Sequence, residues 1–149
     1  MLTSNRSQLR QTYLTAWRKA RVGEPLEPVE RQIVEVARQH PEYQSLLEQG
    51  EAALDRDWLP EGGETNPFLH MSLHIAVQEQ ITTDRPAGIR RLFQRMVEAC
   101  LGDLHTAEHR LLDCLAEELW KVQRDGRPFR DKSYLKCIKR QGAGQRPRG

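Results

Sequence analysis

Cysteine is scarce in this chain of 149 residues, with only Cys100, Cys114 and Cys137, widely spaced and without a Cys-x-x-Cys. An odd, scattered set argues against a disulfide framework and fits a reducing cytoplasm. Aromatic residues make up only 6% of the chain, and no stacking pattern accompanies Trp17, Trp58 or Trp120, so these read as core or rim residues. Long apolar runs are missing: mean hydropathy is −0.74, and nothing approaches the roughly 20 apolar residues of a membrane helix. Met1 to Tyr13 has no signal-peptide core. No strand-like alternation of useful length and no internal repeat occurs. There is no P-loop, Rossmann glycine pattern or Gly-x-Ser-x-Gly elbow, so the familiar nucleotide and esterase motifs are excluded.

What is present is helical periodicity. Leu9, Tyr13, Ala16, Trp17 and Ala20 form one stripe, closed by Gly23 and Pro25. Pro28 opens a second helix with Val29, Ile33, Val36 and Ala37 on one face, and His40-Pro41 breaks it. A short helix with Tyr43, Leu46 and Leu47 follows, then a loop from Asp55 to Asn66. Asn66-Pro67 starts a helix over Phe68 to Thr82 that is apolar almost all round, which predicts a buried position. Asp84 is expected to cap a helix from Pro86 to Leu101, with Cys100 on its apolar face. Asp103 is expected to cap another from Leu104 to Gln123, ended near Gly126, and a last helix runs from Asp131 to Arg140. The expected architecture is all-α: a single-domain bundle of six or seven helices with short capped connections over residues 1–140, and a disordered basic tail over 141–149.

Charge is unevenly spread. Lys121 to Gly149 carries ten Lys/Arg against two Asp, while the whole chain is only +2. Arg124, Arg127, Arg130, Lys136, Lys139 and Arg140 could therefore contact nucleic acid or an acidic partner. The alternative is a solvated last helix with a loose end.

Four of the five histidines form two His-x-x-x-His pairs, His70/His74 and His105/His109. Imidazoles one helical turn apart, with Cβ atoms about 5–6 Å apart, can share a metal. At 100° per residue, His105, Glu108 and His109 fall in or beside the stripe of Leu104, Leu111, Leu112, Leu115 and Leu119. His70 and His74 share a face with Leu73, Val77 and Ile81. Gln78, one turn on, is placed to hold the second ring nitrogen of His74. If the two helices pack together, the four histidines and Glu108 converge on a nitrogen-rich site for one divalent transition metal, zinc or iron. The di-iron carboxylate type uses Glu-x-x-His on two helices, and no second helix supplies that motif here, so a mononuclear site is expected over a di-iron one. The competing reading is a polar cluster that ties helices together without metal. His105-Thr106-Ala107-Glu108-His109 also matches the inverted zincin pattern, which makes Glu108 a possible base. His40 reads as a capping or hinge residue rather than a ligand.

Asn66-Pro-Phe-Leu-His-Met-Ser-Leu-His-Ile-Ala-Val-Gln-Glu-Gln and the following Thr83-Asp-Arg-Pro-Ala-Gly-Ile resemble an uncharacterised bacterial family, domain of unknown function 1841. So do His105-Thr-Ala-Glu-His, Asp113-Cys-Leu-Ala-Glu-Glu-Leu-Trp120, Pro25-Leu-Glu-Pro and His40-Pro-Glu-Tyr. The resemblance runs to about Arg140 and implies a bacterial cytoplasmic protein without an established activity. Where that family has a histidine after the Tyr of His-Pro-Glu-Tyr, this chain has Gln44. This departure counts against a metal-binding role for the first block.

Overall fold

The computed structural model describes residues 2–54, 56, 58 and 66–144, with side chains from residue 7 to 143. Seven α-helices and one 3-10 turn, and no strand, occur among the described residues: α1 Leu2–Val22, α2 Pro28–Arg38, α3 Pro41–Glu48, the 3-10 turn Gly50–Ala53, α4 Pro67–Thr83, α5 Ile89–Ala99, α6 Leu104–Asp125 and α7 Asp131–Gly144. The expected all-α architecture is therefore present. Internal contacts divide the chain into two units, residues 1–75 and 76–149, and α4 contributes to both. Most of the loop expected at Asp55–Asn66 lies outside the described residues.

In the first unit α1 packs on α2 and α3, and α2 on α3. Tyr13, Ala16, Ile33, Val36, Leu46 and Phe68 are among the residues that form its core. The α1 stripe is shifted from the expected one: Leu9 is half-exposed and Arg10 takes the inward place. A buried guanidinium requires partners for its donors. Arg10 donates to the carbonyls of Ala53 (3.3 Å), Leu54 (2.9 Å) and Arg56 (2.7 Å) and lies over the rings of Trp58 and Phe68. It thus caps the 3-10 turn, whose carbonyls have no helical partner. Between α1 and α2, Glu30 accepts from the Glu27 backbone N–H (2.8 Å) and from Lys19 (3.1 Å), which hold its carboxyl below the ordinary range.

In the second unit α5, α6 and α7 pack on one another around Ile89, Met96, Leu111, Leu115, Tyr134 and Ile138. Tyr134 donates to Gln80 Oε1 at 2.6 Å, tying α7 to the second half of α4. Asp84, with φ of +53°, accepts from the N–H groups of Gly88 (3.2 Å) and Arg90 (3.0 Å). That turn delays α5 to Ile89, three residues beyond the expected Pro86. Positive φ at Leu101 and Gly102 ends α5 before the expected Leu101. Leu104 and Leu119, expected in the α6 stripe, are exposed, while Glu118 is buried.

Two further expectations are corrected. Cys114 and Cys137 are joined in a disulfide that fastens α6 to α7, leaving Cys100 free. Their 23-residue separation hid the pairing, which needs Cα atoms within reach, here 5.7 Å. Residues 141–144, expected to be disordered, continue α7. Gly142 there lies beside Met96, so the extra turn has α5 to pack on. Residues 145–149 of the expected tail lie outside the described residues.

Candidate metal centre

The centre begins with a local backbone event. Pro41 cannot donate a hydrogen bond and holds its predecessor out of the helical region. His40 accordingly has φ −128° and ψ 71° and stands as the N-cap of α3. Its ring turns inward, and the side chain is only 3% exposed. On α4, Asn66 accepts from the N–H groups of Phe68 (3.0 Å) and Leu69 (3.3 Å), the expected N-cap. This sets the phase of α4: Phe68, Met71 and His74 are buried, with His70 beside them half-buried.

Three imidazoles of the first unit meet there. Ring centroids are 5.0 Å apart for His40–His70, 4.6 Å for His40–His74 and 4.8 Å for His70–His74. One ligating nitrogen from each lies within 4.8 Å of the others. His70 Nε2 and His74 Nε2 are 3.2 Å apart. Tetrahedral coordination with Zn–N bonds of about 2.0–2.1 Å sets neighbouring nitrogens about 3.3–3.4 Å apart. The pair thus already has nearly the spacing of two ligands on one ion.

His40 Nδ1 lies 2.8 Å from the Val36 carbonyl oxygen. A carbonyl only accepts, so Nδ1 carries the proton, and in the neutral ring Nε2 holds the lone pair. Metal-bound histidines are oriented in the same way, with the second nitrogen donating to a carbonyl. Tyr43 covers His40, its ring stacked at 5.4 Å, and meets His70 edge-on at 5.9 Å. Burial first, then the charge of Glu42, pushes the Tyr43 phenol up, so it stays neutral. Imidazole nitrogen donors in an aromatic-walled setting suit zinc, iron(II), copper or nickel rather than the oxygen-seeking magnesium or calcium.

The other sequence-derived candidates are in the second unit. His105 and His109 lie one turn apart on α6, ring centroids 4.5 Å from each other. Asp103 starts that helix as expected, accepting from the Thr106 N–H at 3.1 Å. Glu108 and both histidines are half-buried. Gln78 was expected to serve His74; the bond found for it runs to Glu108 Oε2 at 3.2 Å. His40, set aside on sequence grounds, is in the cluster with His70 and His74, and Tyr43 walls it. The signal was the coincidence of a buried histidine position with a proline break, which periodicity alone does not register. Gln44, in the place where the family pattern has histidine, instead points an amide donor at the Ala37 carbonyl, 3.4 Å away.

The basic segment is only partly available for contacts. Arg127 is mostly buried and bound to Glu118 through two bonds of 2.6 and 3.1 Å. Its guanidinium is thus engaged within the second unit. The Arg130 backbone N–H joins them at 3.0 Å. Arg124 is paired with Asp125 at 2.8 Å and lies over Trp120. Arg130, Lys136, Lys139 and Arg140 are exposed.

Fold and site together define an all-α protein with a buried histidine cluster capable of holding a metal ion. The chain belongs to the family described as domain of unknown function 1841, whose model matches residues 5–140. No curated protein and no solved structure matches it. Among the described residues no helix is long and apolar enough to cross a membrane.

Proposed function

We propose that this protein binds one divalent transition-metal ion, zinc or iron(II), through His40, His70 and His74. The observation that supports this reading most is the orientation of His40. Its Nδ1–H is committed to a backbone carbonyl, and its ring stands beside two imidazoles whose own nitrogens are 3.2 Å apart. Three imidazoles leave a fourth position. His105, Glu108 and His109 of the second unit remain proposed donors in their own right, with Glu108 as the proposed base should a site there act on water. No substrate is assigned. We place the protein in the cytoplasm, as the family resemblance implies.

Elemental analysis of untagged protein purified without a nickel column tests the proposal. About one equivalent of zinc or iron per chain, lost in His70→Ala and His74→Ala, is expected for a single site. Less than about a tenth of an equivalent of any metal, with no thermal shift on adding zinc or iron, removes the reading.

One observation favours a second activity. Lys132, Lys136, Lys139 and Arg140 are all exposed on α7, at spacings that set them along one face. Such a face suits nucleic acid or an acidic partner. Binding to a DNA oligonucleotide would then weaken steeply with salt, and would be abolished by Lys136→Ala/Lys139→Ala/Arg140→Ala. Binding unchanged by either excludes this second reading.

A further inference from the structure

The first unit also holds a concavity between α1 and the end of α3, with a volume of about 540 Å³. Leu14, Trp17 and Leu47 give it an apolar floor. Arg18 and Arg21 border it from α1, and Glu48 and Glu51 from α3 and the 3-10 turn. None of these four side chains forms an ion pair or side-chain hydrogen bond with another described residue. Opposite charges thus border one cavity without neutralising each other. Trp17 adds an independent sign. Its side chain is only 8% exposed, yet its indole Nε1–H has no hydrogen-bond partner among the described residues. Indole nitrogen is a donor only, and buried donors in native proteins are nearly always matched. Trp17 lines the cavity, and its Nε1–H, itself covered, becomes reachable to an acceptor on a bound molecule only when the side chains around it shift.

We propose that this cavity binds a small zwitterion with an apolar side chain, a free aliphatic amino acid or a short apolar peptide. Its carboxylate meets Arg18 and Arg21, and one of its oxygens reaches the Trp17 N–H as the mouth side chains adjust. Its ammonium meets Glu48 and Glu51. The aliphatic side chain covers Leu14 and Leu47. A plain fatty acid leaves the two glutamates unmatched, and an amine leaves the arginines and the indole unmatched. The volume is in the range of small-molecule sites.

The test is nitrogen–proton correlation spectroscopy on the full chain, following the Trp17 indole resonance, assigned by its loss in Trp17→Phe. Probes are L-leucine, L-leucyl-L-leucine, octanoate and leucinamide. L-Leucine or the dipeptide should move the resonance with a dissociation constant of about 1 mM or tighter. Their relative strength decides between amino acid and peptide. Arg18→Ala/Arg21→Ala and Glu48→Gln/Glu51→Gln should each weaken binding about tenfold. The proposal is overturned if no probe moves the resonance, if octanoate or leucinamide does so as well as the zwitterions, or if either double variant binds like the unaltered protein.

Discussion

The Glu118→Gln variant should be destabilised by an amount that depends on pH. Glu118 is 2% exposed, in a unit whose core is built from Leu111, Leu115 and Ile138, an expensive place for a carboxylate. The Arg127 guanidinium, bound through 2.6 and 3.1 Å contacts, offsets that cost, and the Arg130 N–H adds a third bond. Together they hold the Glu118 carboxyl down to about 2, Arg127 being the largest cause and burial opposing it. A carboxyl depressed by folding adds stability that is complete above its unfolded value of 4.5 and fades as pH falls towards 2. A glutamine side chain has nearly the same shape but leaves Arg127 with only the more distant Asp125, 4.0 Å away, as counter-charge. A charge-assisted hydrogen bond contributes about 1.5–3 kcal/mol, so about 2–3 kcal/mol should be lost at neutral pH. Urea unfolding followed by circular dichroism, run on both proteins from pH 2 to pH 7, measures the difference. It should be constant above about pH 5 and shrink towards zero near pH 2. A difference that stays the same across that range would show that the ion pair is not its source.

Other outcomes follow from the same unit. Opening the Cys114–Cys137 bond by Cys114→Ser frees a loop of 23 residues, which by chain entropy costs about 3.4 kcal/mol. Thermal melts with and without dithiothreitol should differ for the unaltered protein and coincide for the variant; thiol titration of the unfolded, unreduced protein should find one free thiol. Tyr134→Phe removes the 2.6 Å bond to Gln80 at a buried position, and chemical denaturation should report a loss of about 1 kcal/mol. Lys136→Ala, on an exposed stretch of the same helix, should change stability by less than about 0.5 kcal/mol.

The helices were legible because their signals are local. Asn66, Asp103, Gly126 and Pro28 act within a turn of where they stand, and each marks a helix end as its chemistry requires. What was not legible depended on partners distant in sequence. Arg10 is drawn inward by carbonyls more than 40 residues away. Glu118 lies in register with Leu111 and Leu115, a warning that it needed a cation, but only the fold shows Arg127 returning to it after the Gly126 turn. At the candidate centre, His-x-x-x-His spacing on α4 sets His70 beside His74. It could not reveal that the proline break aims His40 at the same point, since a lone histidine beside proline has no helical phase to read.

The direct test of the metal assignment is a calorimetric titration of zinc into metal-free protein and into His40→Ala and His40→Asn, each checked for unchanged helix content. His40 is the discriminating residue, because the His70/His74 pair alone would bind zinc weakly. The account predicts a single site per chain in the unaltered protein, with affinity reduced at least about 100-fold in both variants. Zinc binding of equal strength in all three proteins, or none in any, would contradict it.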